Sequence, residues 1–243
     1  MPNRLLGVNM IKVVSFKICP FVQRVTGLLA AKDIPFEIEY ISLSDKPDWF
    51  LEVSPNGQVP LLITEDGTAL FESDAIVEYI DERYEPLEPE ISLEQKALNR
   101  AWSYQATKHY LSQCGTMRSA DKETFESRVD VLDKLFAKAE KAISGAKYWN
   151  SDQLSNVDIA WLPLLHRADI IERHTCFDFL AKFPKVKAWQ QALLELNLVN
   201  ETVSEDFEDK FTGFYLSDKT YLGGADSCAK PVLDASCKSG TCC

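Results

Sequence analysis

The sequence lacks two features that whole classes of partner require, a long hydrophobic segment and an excess of basic residues. No stretch approaches the ~18 uninterrupted apolar residues that a membrane-spanning helix needs. The 243 residues include 26 Lys and Arg against 37 Asp and Glu, which gives a net charge of −11. Such a charge repels nucleic-acid phosphates and anionic lipid surfaces. We therefore expect neither a membrane span nor a nucleic-acid partner.

A secretory leader is also missing from residues 1–7, because their apolar stretch is too short for one. We therefore predict a cytoplasmic location. Near the other end, four cysteines follow a segment with paired glycines: Cys228, Cys237, Cys242 and Cys243. Soft metals bind clustered thiolates, but these cysteines have no Cys-x-x-Cys spacing and no neighbouring His. The pattern favours an unstructured tail and predicts no metal site.

An acidic segment with two prolines, residues 85–90, separates two halves of different composition. Proline cannot continue a helix and favours extended backbone, so the segment predicts a domain boundary. We assign residues 10–85 to a first domain and residues 91–212 to a second. Residues 213–243 are expected to form a flexible tail.

Strand-like and helix-like patterns alternate in the first half. The elements are predicted over residues 13–16 (strand), 21–31 (helix), 35–41 (strand), 59–64 (strand) and 68–71 (strand). The last two runs are separated by Asp66-Gly67, a strong hairpin signal. Ser73 is predicted to cap the helix that follows. The expected order is β-α-β, a connecting segment, then β-β-α.

The second half carries apolar residues at three- and four-residue spacing, which is typical of amphipathic helices in a bundle. Helices are predicted over residues 93–117, 122–143, 156–173 and 186–196. Ser155 and Asp158 form a capping-box pattern at the start of the third helix. That helix is apolar nearly all round, so we expect it at the centre of the bundle, with a kink at Pro163.

Cys19-Pro20-Phe21 follows the first strand pattern directly and opens the first helix pattern. At a helix N-terminus, unpaired N–H groups and aligned peptide dipoles favour an anion. We therefore expect a lowered pKa for the Cys19 thiol and a nucleophilic role. Pro20 suits the first helical turn because its φ is fixed and its missing N–H would have been unpaired there. A buried structural cysteine is the alternative interpretation.

Four motifs then indicate a family: residues 18–25, 44–50, 54–60 and 71–74. In this order and spacing they resemble the cytosolic glutathione transferases, and within them the omega-class and dehydroascorbate-reductase-like members that use a cysteine. The resemblance covers residues 10–210. It implies an α/β thioredoxin-like N-terminal domain plus an all-α helical-bundle C-terminal domain. It also implies glutathione as co-substrate and no metal.

The resemblance makes Cys19 the catalytic residue. The glutathione-binding residues that it implies are Phe21, Lys46, Val59, Pro60, Glu72 and Ser73. Val59, before a cis Pro60, would pair its backbone with the cysteinyl part of glutathione, as an added strand does. Glu72 and Ser73 would hold the ammonium and the carboxylate of the γ-glutamyl end.

Two of these assignments compete with simpler explanations. Lys46 would lie near the glycyl carboxylate, although an exposed lysine beside a proline is commonly just solvated. Phe21 would lie beside the tripeptide, although its ring could equally pack in the core. Arg24 could raise the local potential at Cys19, but we expect it to face solvent.

The chain lacks the second cysteine of a four-residue redox motif, because Val22 occupies its position. Cys19 is therefore expected to act alone on a small electrophilic or disulfide co-substrate, and glutathione then releases the adduct. This chemistry gives thiol transfer, deglutathionylation or dehydroascorbate reduction, and the resemblance implies weak conjugating activity. Candidate co-substrate residues are Tyr104, His109, Tyr110, Trp161 and His166, for which core packing is the commoner explanation.

Two other classes stay open on the same architecture. Stringent-starvation regulators, which bind RNA polymerase, would leave Cys19 and Glu72-Ser73 without a role. Intracellular chloride-channel-like proteins share the Cys-Pro-Phe-x-Gln-Arg pattern of residues 19–24, but the acidic charge disfavours membrane association. A monomer and a homodimer both remain compatible with the sequence.

Overall fold

In the computed structural model, which describes residues 10–224, the first half of the chain is a four-stranded mixed sheet with helices on both faces. Its elements are β1 (Ile11–Ser15), α1 (Pro20–Ala31), β2 (Phe36–Tyr40), α2 (Asp48–Val53), β3 (Leu61–Ile63), β4 (Ala69–Phe71) and α3 (Ser73–Arg83). The strand order is β2-β1-β3-β4, with β1 parallel to β2 and the other two pairs antiparallel. The predicted thioredoxin-like domain is confirmed.

Both faces of β1 are buried, and among its five residues only Lys12 is partly exposed. Val13 packs in the main core with Leu62 of β3. Val14 points to the opposite face, because successive strand residues alternate, and packs with Phe50 of α2. A strand buried on both sides holds the loop that follows it at a fixed edge of the sheet.

The strand register brings three loops to that edge. Val14 of β1 pairs with Leu61 of β3, and Leu61 pairs with Phe71 of β4. The carboxyl ends of β1 and β4 therefore lie beside the amino end of β3. The segments that meet there are residues 16–19, 54–60 and 72–73.

The second half is an all-helical bundle, as predicted. Its helices are α4 (Leu93–Met117), α5 (Lys122–Ala142), α6 (Asn156–His174), α7 (Pro184–Leu194), α8 (Leu198–Glu201) and α9 (Phe207–Tyr215). Helix α6 is the central one and is buried along most of its length, and it continues unbroken through Pro163. Its capping box forms: the Asp158 amide donates to Ser155 Oγ, and the Ser155 amide donates to Asp158 Oδ2 at 2.8 Å.

The two halves join through α1 and α6. Gln23 of α1 lies 3.0 Å, Nε2 to Nδ1, from His166 of α6. Arg167, the next residue, donates to the carbonyl oxygen of Ile18 at 3.1 Å and to Gln23 Oε1. Both α6 side chains are buried. The second domain therefore covers the segment that leads into Cys19.

The structure differs from the sequence prediction in three local features. Helix α2 was expected to be a connecting segment, and its six residues are too few to show a helical period. Ser73 is the first residue of α3, and Glu72 is the residue at the cap. The tail boundary at residue 213 is wrong, because α9 continues to Tyr215 and Leu222 is buried.

The remaining predictions on the tail, including those for Cys228, Cys237, Cys242 and Cys243, lie outside the described residues. Between residues 10 and 224, no helix has the length and apolar character to cross a bilayer. The same part of the chain contains no cluster of three or more His, Cys, Asp or Glu side chains that could hold a metal ion.

Candidate active site

A cavity of about 540 Å³ opens at the sheet edge where the three loops meet. All seven residues singled out from the sequence line it: Cys19, Phe21, Lys46, Val59, Pro60, Glu72 and Ser73. The opposite wall comes from α4 of the second domain, through Thr107, Lys108 and Leu111. Residues that are distant in sequence thus share one concave surface between the domains, which is where ligand sites commonly form.

Cys19 occupies the N-cap position of α1, and Pro20 is the first helical residue. The Cys19 amide donates to the Phe16 carbonyl oxygen at 3.0 Å, which closes the turn between β1 and the helix. The Cys19 side chain does not cap the helix through a hydrogen bond to a backbone amide of the first turn. The thiol therefore stays available to the cavity.

Burial away from water raises the pKa of the Cys19 thiol above its ordinary value. The amides of Val22 and Phe21 and the guanidinium of Arg167 oppose that effect but do not outweigh it. The lowered pKa expected from the sequence is therefore wrong. The helix N-terminus is present as predicted, but the second domain removes the water that would help to solvate a thiolate.

The γ-glutamyl candidates lie at the start of α3. Glu72 has a φ of +66°, which non-glycine residues rarely adopt. Asn56 Nδ2 donates to Glu72 Oε1 at 2.9 Å, so a second loop holds this carboxylate in the cavity wall. Ser73 is buried beside it. Strained backbone of this kind is concentrated at functional sites.

The loop before β3 supplies the middle of the cavity wall. The Val59-Pro60 peptide bond is cis. Ser54 and Gln58 hold the loop through two hydrogen bonds of 3.2 Å between the Ser54 hydroxyl and the Gln58 main chain. Within residues 10–224, no hydrogen bond uses the amide or the carbonyl of Val59. One main-chain donor and one acceptor thus remain free at the cavity.

Lys46 reaches the same cavity from the segment before α2. Its Nζ would lie 3.7 Å from a Cβ added at Gly57. Gly57 has a φ of +56°, a conformation that favours glycine, so its lack of a side chain serves the turn. A second cation, Lys108 of α4, lines the cavity from the other domain. Sequence reasoning missed Lys108 because α4 showed only a helical period.

A second cavity, of about 340 Å³, shares Cys19 and Phe21 with the first. Its other walls come from the loop after β1, from the carboxyl half of α4 and from α9. The α4 and α9 residues are Leu111, Cys114, Gly115, Arg118, Phe214 and Tyr215. Cys19 therefore lies in the wall common to both cavities.

Helix α4 divides its surface between core and cavities. One stripe is buried in the bundle and includes Ala106, Tyr110, Gln113 and Met117. The neighbouring stripe faces the first cavity in the middle of the helix and the second cavity in its last two turns, with Leu111 common to both. The spacing of three and four residues produces this arrangement, because such residues lie on one helical face.

None of the five aromatic and histidine candidates from the sequence lines either cavity. Tyr110 donates to the Ala160 carbonyl oxygen at 2.5 Å, and Trp161 Nε1 donates to the Trp102 carbonyl oxygen at 3.1 Å. His166 is buried against Gln23, and His109 Nδ1 lies 2.6 Å from the Gln105 carbonyl oxygen. Tyr110, Trp161 and His166 are buried in the helical domain, as the commoner explanation predicts. Tyr104 and His109 are half-buried.

Arg24 was expected to face solvent, and that expectation is wrong. Its side chain is buried and forms an ion pair with Asp74, near the start of α3. Asp74 in turn lines the first cavity. The pair ties α1 to α3 beside Cys19 and Glu72.

Two family models match the chain. Residues 18–83 match the N-terminal domain of glutathione S-transferases, and residues 120–192 match the C-terminal domain. The first match includes Cys19, the Val59-Pro60 pair and Glu72-Ser73. The second includes α5 and α6.

Named proteins agree with these models. The chain is 33% identical over 189 residues to glutathione S-transferase omega-1 of Rattus norvegicus, an alignment that covers 76% of this chain and 77% of the rat protein. It is 31% identical over 157 residues to the probable glutathione S-transferase DHAR1, cytosolic, of Oryza sativa subsp. japonica. That alignment covers 64% of this chain and 70% of the rice protein. Glutathione transferase Omega 3C of Trametes versicolor has the same fold, with a TM-score of 0.71 and 22% identity. The superposition covers 82% of this chain and 91% of the Trametes chain.

Proposed function

The chain belongs to the glutathione S-transferase family, and from this membership we propose that it is a glutathione-dependent thiol transferase and reductase. Its reaction is deglutathionylation or dehydroascorbate reduction, with Cys19 as the nucleophile and glutathione as co-substrate. The position of Cys19 in the wall common to two cavities carries the proposal. One cavity offers groups for a tripeptide, and the other leaves room for a second substrate.

The free main-chain groups of Val59 support binding of the cysteinyl part of glutathione. An extended peptide can add to exposed backbone as a further strand, through one hydrogen bond in each direction. Val59 offers both a donor, its amide, and an acceptor, its carbonyl oxygen, since no other described residue uses either group. This pairing would hold the glutathione sulfur on the same cavity wall as Cys19.

Charged side chains that line the first cavity match the two charged ends of glutathione. At one end, the Glu72 carboxylate would pair with the γ-glutamyl ammonium, and the Ser73 hydroxyl and the start of α3 would bind its carboxylate. At the other end, Lys46 would bind the glycyl carboxylate. Phe21 would form the floor between them, since its ring packs edge-on against Tyr110 with centroids 5.1 Å apart.

In deglutathionylation, the Cys19 thiolate attacks the glutathione sulfur of a mixed disulfide. A new disulfide forms between Cys19 and glutathione, and the other thiol leaves as a thiolate that takes up a proton. A second glutathione then attacks this adduct, which regenerates Cys19 and releases glutathione disulfide. The net reaction consumes one mixed disulfide and one glutathione.

The raised pKa of Cys19 limits the supply of nucleophile. Only the thiolate attacks, so most Cys19 thiols are unreactive at neutral pH. Arg167 and the Val22 and Phe21 amides increase the thiolate fraction above what burial alone would allow. The reaction therefore accelerates with rising pH.

Binding to immobilised glutathione and reduction assays on a glutathionylated peptide and on dehydroascorbate test the proposal. We expect the wild type to bind and to turn over at least one of the two substrates. Cys19→Ser should keep binding and lose turnover, because serine preserves the shape and removes the nucleophile. Ser42→Ala, at an exposed serine outside both cavities, is the matched control and should behave as wild type. A wild type that neither binds nor turns over would refute the proposal.

We also propose that the chain forms a homodimer in the cytoplasm. Leu93 and Leu98, five residues apart in the first turns of α4, are 82% and 56% exposed. A second copy of the chain would cover them. Light scattering should give the mass of two chains, and the double variant Leu93→Lys with Leu98→Lys should give the mass of one. A wild-type monomer would exclude the dimer.

A further inference from the structure

Cys114 is a second thiol in the cavity beside Cys19, and no step above uses it. It lies on α4, is half-buried, and is free of a disulfide. The cavity of about 340 Å³ has Cys19 and Phe21 in one wall and Cys114 in another, between Leu111 and Arg118. The pair thus spans the two domains.

Three observations indicate that the two sulfurs share one environment. Cys19 and Cys114 line the same cavity and are close enough to interact electrostatically. The Arg167 guanidinium acts on both thiols from α6, and its Nε has no hydrogen-bond partner although the side chain is fully buried. Tyr215 of α9 lines the same cavity and interacts with Cys114.

A buried cation without a carboxylate partner is costly unless an anion is available. The hydrogen bonds of Arg167 go to neutral acceptors: Gln23 Oε1, the Pro163 carbonyl and the Ile18 carbonyl. The acidic groups that it faces are Cys19, Cys114, Tyr110 and Tyr215. Both thiols therefore face the same fixed positive charge.

From this arrangement we propose that Cys114 is the resolving thiol of the enzyme. Once Cys19 carries glutathione, the Cys114 thiolate attacks the Cys19 sulfur. A Cys19–Cys114 disulfide forms, and glutathione leaves as a thiolate that takes up a proton. Two further glutathione molecules reduce the protein disulfide and leave as glutathione disulfide, so the net reaction is unchanged.

The inference rests on the proposed function and adds to it the partner of Cys19. The missing cysteine at the position of Val22 is then replaced by a cysteine from the other domain. A resolving thiol in the same cavity has an effective concentration of roughly 1 mM or more. At 0.1 mM added glutathione it should therefore clear the adduct on Cys19 ~10-fold faster than glutathione alone.

Peptide mapping after a short reaction tests the proposal, because trypsin releases each cysteine in its own peptide, residues 18–24 and residues 109–118. Wild type, Cys114→Ser and Cys114→Ala are mixed with one equivalent of glutathione disulfide, quenched with acid and alkylated. We expect the wild type to give the two peptides joined by a disulfide. Both Cys114 variants should instead accumulate peptide 18–24 carrying one glutathione.

The readings separate the two proposals. If wild type and both Cys114 variants accumulate the same glutathione adduct on peptide 18–24 and no joined pair, Cys114 has no resolving role and the proposed function stands. If no variant carries glutathione on that peptide, the proposed function fails and the resolving role fails with it. Cys19→Ser should give neither product, and it identifies any adduct on other cysteines.

Discussion

Arg167 Nη2 donates a hydrogen bond of 3.1 Å to the carbonyl oxygen of Ile18, the residue directly before Cys19. The contact joins α6 of the helical domain to the turn that presents the thiol. It fixes a positive charge behind a group whose pKa burial raises. The reactivity of Cys19 thus depends on a residue more than a hundred positions away.

Replacing Arg167 should make Cys19 less reactive at neutral pH. Arg167→Gln removes the charge and keeps hydrogen-bonding groups, so we expect the pKa of Cys19 to rise by about one further unit and its alkylation at neutral pH to slow ~10-fold. Arg167→Lys keeps a positive charge and should recover most of the rate. The measurement is ultraviolet absorbance of the thiolate as a function of pH.

The acidic and basic groups around Cys19 are Arg24 with Asp74, Tyr110 and Cys114 on α4, Arg167 on α6 and Tyr215 on α9. Gln23→Leu is the matched control for this experiment, because it removes a hydrogen-bond partner of Arg167 and leaves every charge. Equal shifts in Arg167→Gln and Gln23→Leu would mean that packing, not charge, sets the pKa of Cys19.

The wild-type protein should show a steep pH dependence at Cys19. Its pKa lies above the ordinary 9.0, so the thiolate fraction and the rate of iodoacetamide labelling should rise ~10-fold per pH unit from 7 to 9. Mass spectrometry of peptide 18–24 isolates this thiol from the others. A labelling rate that levels off below pH 8 would contradict the burial argument.

Glu72 combines a binding role with a strained backbone, and two substitutions separate them. Glu72→Gly accepts the positive φ, so we expect thermal stability to rise by about 1 kcal/mol. Glutathione affinity should fall about 10-fold or more, because the ammonium loses its charged partner. Glu72→Gln should lose affinity similarly without gaining stability. Calorimetric titration and thermal unfolding measure the two effects, and tighter binding by Glu72→Gly would exclude the assigned role.

His166 should make the protein sensitive to mild acid. Burial lowers the pKa of His166 from 6.5 to about 3, so the folded protein keeps it neutral while the unfolded chain takes up a proton. The contribution of neutral His166 to the free energy of unfolding is fully present above pH 6.5 and is lost progressively as the pH falls toward 3. At pH 4.5 the loss from this group is roughly 3 kcal/mol.

Urea unfolding at pH 7 and pH 4.5 measures that loss. His166→Gln keeps a polar partner for Gln23 and cannot be protonated, so it should lose less stability on acidification than the wild type. His109→Gln, at a half-buried histidine on the surface of α4, is the matched control and should lose as much as the wild type. Equal acid sensitivity in both variants would contradict the burial of a neutral His166.

The fold and the first cavity were predictable because their signals are local. Cys19-Pro20, Val59-Pro60 and Glu72-Ser73 each follow or precede a strand, and the strand register then brings them to one edge. The raised pKa of Cys19 was not predictable, because the desolvation comes from packing between domains. The six residues of α2 and the nine of α9 left too short a pattern to recognise, and no motif in the sequence singled out Cys114.

Helix α4 contributes Thr107 and Lys108 to one cavity and Cys114 and Arg118 to the other. The identities of the residues before and after Leu111 can therefore change independently within one helix. Related chains could acquire a new second substrate by changing its last two turns while they retain the same tripeptide. Swapping only residues 114–118 between such chains is thus a compact route to exchanging substrate preference.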